Sequence, residues 1–297
     1  MRCLNYSIVV SGILFFLSGC QNEGTNNSAS QAERLPPADV HFELLLPDKT
    51  GVKFSNHITE SFQDNILINS YLYNGGGVAV IDVNNDGLPD LYFSATQDPN
   101  RLFLNKGNLQ FEDITESAGV AAQGGVKTGV TVVDINADGF QDLYVCRSGM
   151  SPTFERANLL YINNGNLTFT ESAAQYGLDD RSASNHANFF DFDLDGDLDV
   201  YVLNHPVSFQ DVNRVLASEQ NGEYIRKTDP LDEWESDKLF RNDGNGKFTN
   251  ISDKAGIRNR AWGLSVTVSD FNNDRYPDIF VGNDYIEPDL LYINNKN

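Results

Sequence analysis

A nine-residue acidic stretch, Asp-x-Asn/Asp-x-Asp-Gly-x-x-Asp, recurs four times in this chain, at residues 82–90, 134–142, 191–199 and 270–278. Oxygen-bearing side chains fall at positions 1, 3, 5 and 9: Asp82, Asn84, Asp86 and Asp90; Asp134, Asn136, Asp138 and Asp142; Asp191, Asp193, Asp195 and Asp199; Asp270, Asn272, Asp274 and Asp278. With the backbone carbonyl of position 7 (Leu88, Phe140, Asp197, Tyr276) they form the donor set that a hard cation such as calcium requires. Glycine at position 6 permits the sharp turn that folds the oxygens inward. The fourth copy carries Arg275 there, which must either adopt the turn under strain or weaken the site. The expected complement is three to four structural Ca2+ ions. Four such loops at intervals, each followed by a β-forming run, indicate a repeat protein whose units are pinned by metal.

The flanks exclude an EF-hand. That loop ends in Glu at position 12 between two helices, whereas position 12 here is Phe93, Val145, Val202 and Val281. The surrounding residues alternate in the manner of strands, as in Val78-Ala79-Val80-Ile81 before the first loop and Leu91-Tyr92-Phe93 after it. A second signature alternates with the first. Residues 100–111, 158–169 and 237–248 each read as strand, glycine turn, strand, and each is followed by a close: Ala118-Gly119-Val120, Tyr176-Gly177-Leu178, Ala255-Gly256-Ile257. One repeat is therefore four short antiparallel strands, the unit of a β-propeller blade. The expected fold is all-β, with about four blades present as part of a larger propeller, since the chain stops within the fourth repeat's hairpin. Residues 42–52 look like the outer strand of a preceding blade.

Spacing shows where length varies. Gly107 to Asp134, Gly165 to Asp191 and Gly244 to Asp270 are nearly equal, but the interval from the first loop aspartate to the hairpin glycine more than doubles between repeat one (Asp82 to Gly107) and repeat three (Asp191 to Gly244). The extra length falls between the second and third strands of a blade. In an antiparallel blade that connection lies opposite the metal loops and the glycine turns. An insert at about residues 206–235, with a possible short helix over 211–219 and with Trp234, should therefore rise from the opposite face. Loops on a rigid scaffold are where recognition concentrates. Lys127, His186 and Trp262 lie on crossings to the same face and, with Trp234, form the candidate ligand face.

The net charge of −21 argues against nucleic acid, because even four dications offset fewer than half of these charges and phosphate binding needs clustered Lys and Arg. The leader divides into Arg2, an apolar stretch at 8–17 too short to span a bilayer, and Leu17-Ser18-Gly19-Cys20, which resembles a bacterial lipobox. The expectation is a signal peptide at 1–19, lipidation of Cys20, a polar tether at 20–39 and the repeats at 40–297. The protein would then be exported and held, with no transmembrane helix, by its lipid, at the outer membrane. Cys3 leaves with the leader, so Cys146 has no disulfide partner and reads as a packing residue.

The loop pattern followed by Leu-Tyr-Val or Asp-Val-Tyr-Val resembles the FG-GAP or VCBS repeat and is similar to the blades of integrin α propellers. Asn74-Gly75-Gly76-Gly77-Val78-Ala79-Val80, residues 189–197 and Gly282-Asn283-Asp284-Tyr285 resemble the cartilage-acidic-protein-like bacterial lipoproteins. The resemblance covers residues 40–297 and implies an exported calcium-binding propeller. No nucleophile elbow, phosphate loop or dinucleotide fingerprint accompanies it. The expected function is a non-enzymatic binding or scaffold module for glycan or protein at the cell envelope. The alternative is a calcium-dependent polysaccharide lyase or hydrolase, which would need His186 or Lys127 as base beside calcium or a carboxylate pair in one cleft.

Overall fold

The computed structural model describes residues 42–62, 64–149, 153–206, 217–220, 222–226, 234–284 and 287–296. The leader, the tether, Cys20 and much of the insert (207–216, 221, 227–233) lie outside the described residues. The chain divides into units 1–44 and 45–297, and the blades belong to the second.

Blade 1 is the sheet β1 (Val78–Ile81), β2 (Asp90–Phe93), β3 (Arg101–Asn105) and β4 (Phe111–Asp113), paired in chain order. Blade 2 repeats it with β5 (Val126–Val133), β6 (Asp142–Ser148), β7 (Leu159–Asn163) and β8 (Phe169–Glu171). Blade 3 uses β9 (Ala183–Phe190) and β10 (Asp199–His205), then a separate hairpin β11 (Ala217–Gln220) and β12 (Glu223–Arg226), before β13 (Lys238–Asn242) and β14 (Phe248–Asn250) complete the sheet. Blade 4 has three strands among the described residues: β15 (Trp262–Ser269), β16 (Asp278–Asp284) and β17 (Leu290–Tyr292). All pairings are antiparallel, as the hairpin spacing requires.

The register repeats with the sequence. Tyr92 lies opposite Leu102, Tyr144 opposite Leu160, Tyr201 opposite Leu239 and Phe280 opposite Leu291. In the first three blades each pair is buried against the following blade, Tyr92 and Leu102 with Val130, Leu143 and Val145, for example. The tyrosine hydroxyls are satisfied at the sheet end, donating to Val120 O (3.0 Å), Leu178 O (3.0 Å) and an Asp237 carboxylate oxygen (2.6 Å). Asn100, Asn158 and Asp237, which open the second signature, also receive the amides of Ala95, Arg147 and Asn204 at the end of the second strand. A short polar side chain at that position thus locks the second strand to the outer hairpin.

Neighbouring inner strands are stitched as well. Gly77 N donates to Thr128 O, Thr128 Oγ1 to Ser184 O, and Asn185 Nδ2 to Gly263 O, one link for each step around the blades. Each close is a helical turn that the spacing of the sequence does not announce: α2 (Thr115–Ala118), α3 (Ala173–Tyr176) and α4 (Ser252–Ala255), each stopped by a left-handed glycine, Gly119, Gly177 and Gly256.

Two expectations are corrected. Residues 42–46 form no strand, and residues 47–50 form a helical turn, α1 (Pro47–Thr50), capped by left-handed Gly51. A Cβ on Gly51 would meet the Phe111 carbonyl, just as one on Gly177 would meet the Phe248 carbonyl, so α1 occupies the place of a closing turn preceding blade 1. The helix expected over 211–219 is also absent from its described part, because residues 217–219 belong to β11 and pair with β12. Backbone pairing across a hairpin turn with Gly222 at φ 81° wins there over helical propensity.

Equal residues at equal register positions but with different burial give a test. Leu160→Ala should cost about 2–5 kcal/mol in urea denaturation, as for a filled core site. Leu291→Ala, at a half-exposed position of blade 4, should cost less than about 1 kcal/mol.

Candidate metal centres and the face opposite them

The four acidic loops connect the first and second strands of their blades and share one hydrogen-bonding scheme. The position-1 carboxylate receives the amides of positions 5 and 6: Asp82 from Asp86 and Gly87, Asp134 from Asp138 and Gly139, Asp191 from Asp195 and Gly196, Asp270 from Asp274 and Arg275. The position-5 carboxylate receives the amide of position 7, from Leu88, Phe140, Asp197 and Tyr276 respectively. In the first, second and fourth loops the position-3 amide (Asn84, Asn136, Asn272) also donates to the position-5 carboxylate.

Two positions in each loop are left-handed. Position 6 has φ of 82°, 89° and 100° at Gly87, Gly139 and Gly196, and 79° at Arg275. Arg275 therefore adopts the glycine conformation rather than abolishing the turn. Position 4 is left-handed too, at Asn85, Ala137, Leu194 and Asn273, with φ between 55° and 62°. Asn at two of these positions suits that conformation, but Ala137 and Leu194 carry no such signal, so the sequence did not reveal it as a common feature.

Position 9 behaves differently from the rest. Asp90, Asp142, Asp199 and Asp278 are buried, and each uses both oxygens on backbone amides. One oxygen receives position 2 of the same loop (Val83, Ile135, Phe192, Phe271) at 2.9–3.0 Å. The other receives Asn105, Asn163, Asn242 or Asn294 at the end of the outer strand, at 2.7–2.8 Å. These aspartates fasten the loop to the outer hairpin whatever else they bind. Burial, only partly offset by those amides, raises the Asp142 carboxyl to about 6 and that of Asp199 to about 7.

The third loop is the most strongly charged. Its Asp191, Asp193 and Asp195 place carboxylate oxygens within 4.8 Å of one another and can hold a metal ion. Burial, and then the neighbouring carboxylates, raise Asp193 and Asp197, and one Asp197 oxygen is buried with no hydrogen-bond partner. A cation is what such crowding of like charge lacks, so the donor set fits a divalent metal. The fourth loop already has a cation nearby: Lys296 Nζ lies 3.2 Å from Asp274 and 5.1 Å from the Tyr276 ring centre.

The glycine turns of the outer hairpins lie on the same face as the loops, with Gly107 against Leu88, Gly165 against Phe140 and Gly244 near Asp197. The opposite face differs from expectation in two places. Lys127 is buried, its ammonium 3.2–3.4 Å from the carbonyls of Gln97, Gly124 and Gly125, and burial together with nearby Arg147 brings it down to about 8. Trp262 is buried as well. It stacks on His205 at 5.5 Å, takes the Tyr71 hydroxyl on its carbonyl, and lines a cavity of about 10 Å³, too small for more than one water. Neither residue is available to a ligand, because the crossings on which they lie converge on the packed centre. His186 is half-buried on β9, and burial lowers its pKa. Lys127 is committed to backbone carbonyls, which removes it as the proposed base. Cys146 is buried, and burial drives its thiol far upward, which fits a packing role.

His205, to which no motif in the sequence assigns a role, instead organises this centre. Its Nδ1 faces Pro206 O at 2.8 Å and its Nε2 faces Ser148 Oγ at 2.6 Å. A carbonyl partner requires Nδ1 to carry the proton, leaving Nε2 to accept from the serine hydroxyl. Burial lowers the ring to about 4, so it stays neutral.

Trp234 does lie at a concavity. About 610 Å³ opens beside the start of β13, the end of β14 and α4, lined by Trp234, Lys238, Asn250, Ser252, Lys254 and Arg258, among others. The start of a third strand and the end of a fourth lie opposite the acidic loops, so this concavity does too. Lys238 is held 5.1 Å from the Trp234 ring centre and 2.5 Å from Asp180.

Four antiparallel blades, each with an acidic loop between its first two strands and the first three closed by a capped turn, define a repeat β-propeller. The chain belongs to the FG-GAP-like repeat family, whose repeat matches residues 82–145, 150–202 and 230–281, more than half of its length. It is also 31% identical over 170 residues to Cartilage acidic protein 1 of Xenopus tropicalis, a match covering 56% of this chain and 26% of that relative. The aligned part is thus about a quarter of the relative's length.

Strain and proton binding at the loops can each be measured. Arg275→Gly should relieve the left-handed strain and raise stability by about 1 kcal/mol in chemical denaturation. In metal-free buffer, folded Asp142, Asp199 and Asp237 bind protons at higher pH than the unfolded chain does, Asp237 being raised to about 6 by burial. Their contribution is present at low pH and lost as pH rises through about 6 to 7, whereas buried His205 and half-buried His186, both lowered, lose stability as pH falls through the ordinary histidine range. With three raised carboxylates against these two rings, the metal-free melting temperature should increase on acidification from about pH 8 to about pH 5.

Proposed function

We propose that this chain is an exported, lipid-anchored propeller stapled by calcium that acts as a binding or scaffold module at the cell envelope. Calcium is assigned to all four acidic loops, most strongly to the third with its five aspartates and least to the fourth, where Lys296 competes for Asp274. Its role is structural. The loop oxygens converge only in the folded chain, so binding free energy enters as folding free energy. Cys20 carries the lipid and residues 20–39 the tether, which holds the blades at the outer membrane in this reading.

The observation that carries the recognition reading is a division of faces. Acidic loops and glycine turns occupy one face, and the concavity beside Trp234 opens on the other. That concavity is lined by Lys238, Lys254 and Arg258 together with Asp237 and Asp253, with Lys238 paired to Asp180 and Arg258 to Asp253, and it offers an aromatic ring beside them. An indole face with cations around it suits a sugar ring bearing carboxylate or sulfate, with an acidic segment of a protein as the other ligand of that chemistry.

The full chain should bind acidic polysaccharide in a glycan screen run with calcium, without releasing product. Trp234→Ala should weaken that binding at least tenfold while leaving the melting temperature unchanged. EDTA should lower the melting temperature and abolish binding together. An unchanged melt in EDTA would remove the calcium assignment, and undiminished binding by Trp234→Ala would remove the concavity.

A further inference from the structure

We propose that the first and second acidic loops take up their cations as a coupled pair, through Asn85, Gln141 and Asn163; this rests on the calcium reading above. Three hydrogen bonds join the two loops across the interface of blades 1 and 2. Gln141 Oε1, at position 8 of the second loop, accepts the amide of Asp82, position 1 of the first, at 2.9 Å. Asn85 Nδ2, at position 4 of the first loop, donates to the carbonyl of Gly139, position 6 of the second, at 2.9 Å. Asn163 Nδ2, at the end of β7, donates to the carbonyl of Val83, position 2 of the first loop, at 2.9 Å.

Each bond engages backbone that the loop turns themselves place. Gly139 is the left-handed glycine of the second loop, its own amide held by Asp134. Asn85 is left-handed at φ 56°, and the amides that follow it, of Asp86 and Gly87, are held by Asp82. The amides of Val83 and Asn163 are held by the position-9 carboxylates Asp90 and Asp142. One donor set thus reaches the other by Asp90, Val83, Asn163 and Asp142 on the buried side, and by Asn85 and Gly139 at the exposed tip. None of the three bonds uses an oxygen of either donor set, so the links do not compete with a cation. Without a cation the clustered carboxylates repel and favour an open loop. Closing the second loop sets Gly139 and Gln141 where the first loop needs them, so the first closes with a smaller loss of conformational freedom. By linkage the first loop favours the second by the same factor.

The other steps around the blades do not share this link. Between the second and third loops, position 4 is Ala137, whose side chain has no donor, and position 8 is Leu198, whose side chain has no acceptor. Asn242, the counterpart of Asn163, donates to the Leu198 carbonyl within its own blade. Between the third and fourth loops, Leu194 and Pro277 again offer neither group, and of the three bonds only that from Asn294 to the Phe192 carbonyl remains. The third loop is therefore an internal control: it neighbours the second without its links.

The test is hydrogen exchange read by mass spectrometry on the full chain, with peptides spanning each loop, as calcium is added to metal-free protein. Protection of residues 82–90 and 134–142 should rise at one common calcium midpoint. Asp138→Ala, in the second loop's donor set, should raise the first loop's midpoint at least about fivefold and leave the third loop's where it was. Asp86→Ala should raise the second loop's midpoint by the same factor. Both aspartates are exposed, and Asp138→Asn and Asp86→Asn replace the alanine variants should either fail to fold. The double variant Asn85→Ala with Gln141→Ala keeps both donor sets and should reduce these cross-effects to less than twofold. A first-loop midpoint that stays put in Asp138→Ala would overturn the coupling and leave calcium binding standing. Cross-effects of full size in the double variant would remove Asn85 and Gln141 as its carriers. No response to calcium in any loop would remove the calcium reading itself, and the coupling with it.

Discussion

A buried aspartate at the ninth position of each acidic loop holds the rest in place. Asp90, Asp142, Asp199 and Asp278 each accept one amide from their own loop and one from the end of the outer hairpin. A carboxylate out of water is costly unless its oxygens are matched by donors, and two amides at short range supply them. The same two bonds fix where the loop sits relative to the hairpin. They set the geometry in which the other loop oxygens converge, and that convergence makes the loops fit for a divalent cation. The stability of the sheet and the shape of the candidate metal centres therefore rest on the same side chain.

The blades then depend on each other. A four-stranded sheet of such short strands has two faces to cover, and each of the first three blades covers one with its successor, through a tyrosine opposite a leucine. Inner-strand bonds such as Thr128 Oγ1 to Ser184 O hold the stack at its centre. On the side away from the loops, Tyr71, His205 and Trp262 fill the converging strand ends with aromatic packing. That side is therefore closed at its middle and concave toward its rim, at Trp234. The separation arises from antiparallel topology, in which alternate connections must emerge at opposite ends of a sheet.

Much of this was legible in the sequence. Period-two flanks, glycine turns and the four acidic loops implied antiparallel blades, and the signature opened by Asn100, Asn158 and Asp237 marked where the third strands begin. Arg275 stood where the turn calls for glycine, with either a strained turn or a weakened site as the outcome, and it adopts the left-handed turn. Other features were not legible. The closing turns α2, α3 and α4 are single helical turns too short to show a period. The separate hairpin β11–β12 has no sequence signal that outweighs a helical one. Lys127 and Trp262 looked like surface groups because unusual residues on crossings usually are, yet both are buried, Lys127 among backbone carbonyls that no pattern of side chains announces.

The sequence by itself determined the repeat, the strand order within a blade and the residues able to hold a cation, because these depend on local spacing and on which atoms a side chain offers. Tertiary structure decided which of those residues face solvent and which lie at the packed centre. It also gave the position-9 aspartates a second role. Burial and hydrogen-bond partnership are set by chain segments far apart in sequence, here by one blade against the next, and local pattern carries no record of that neighbour.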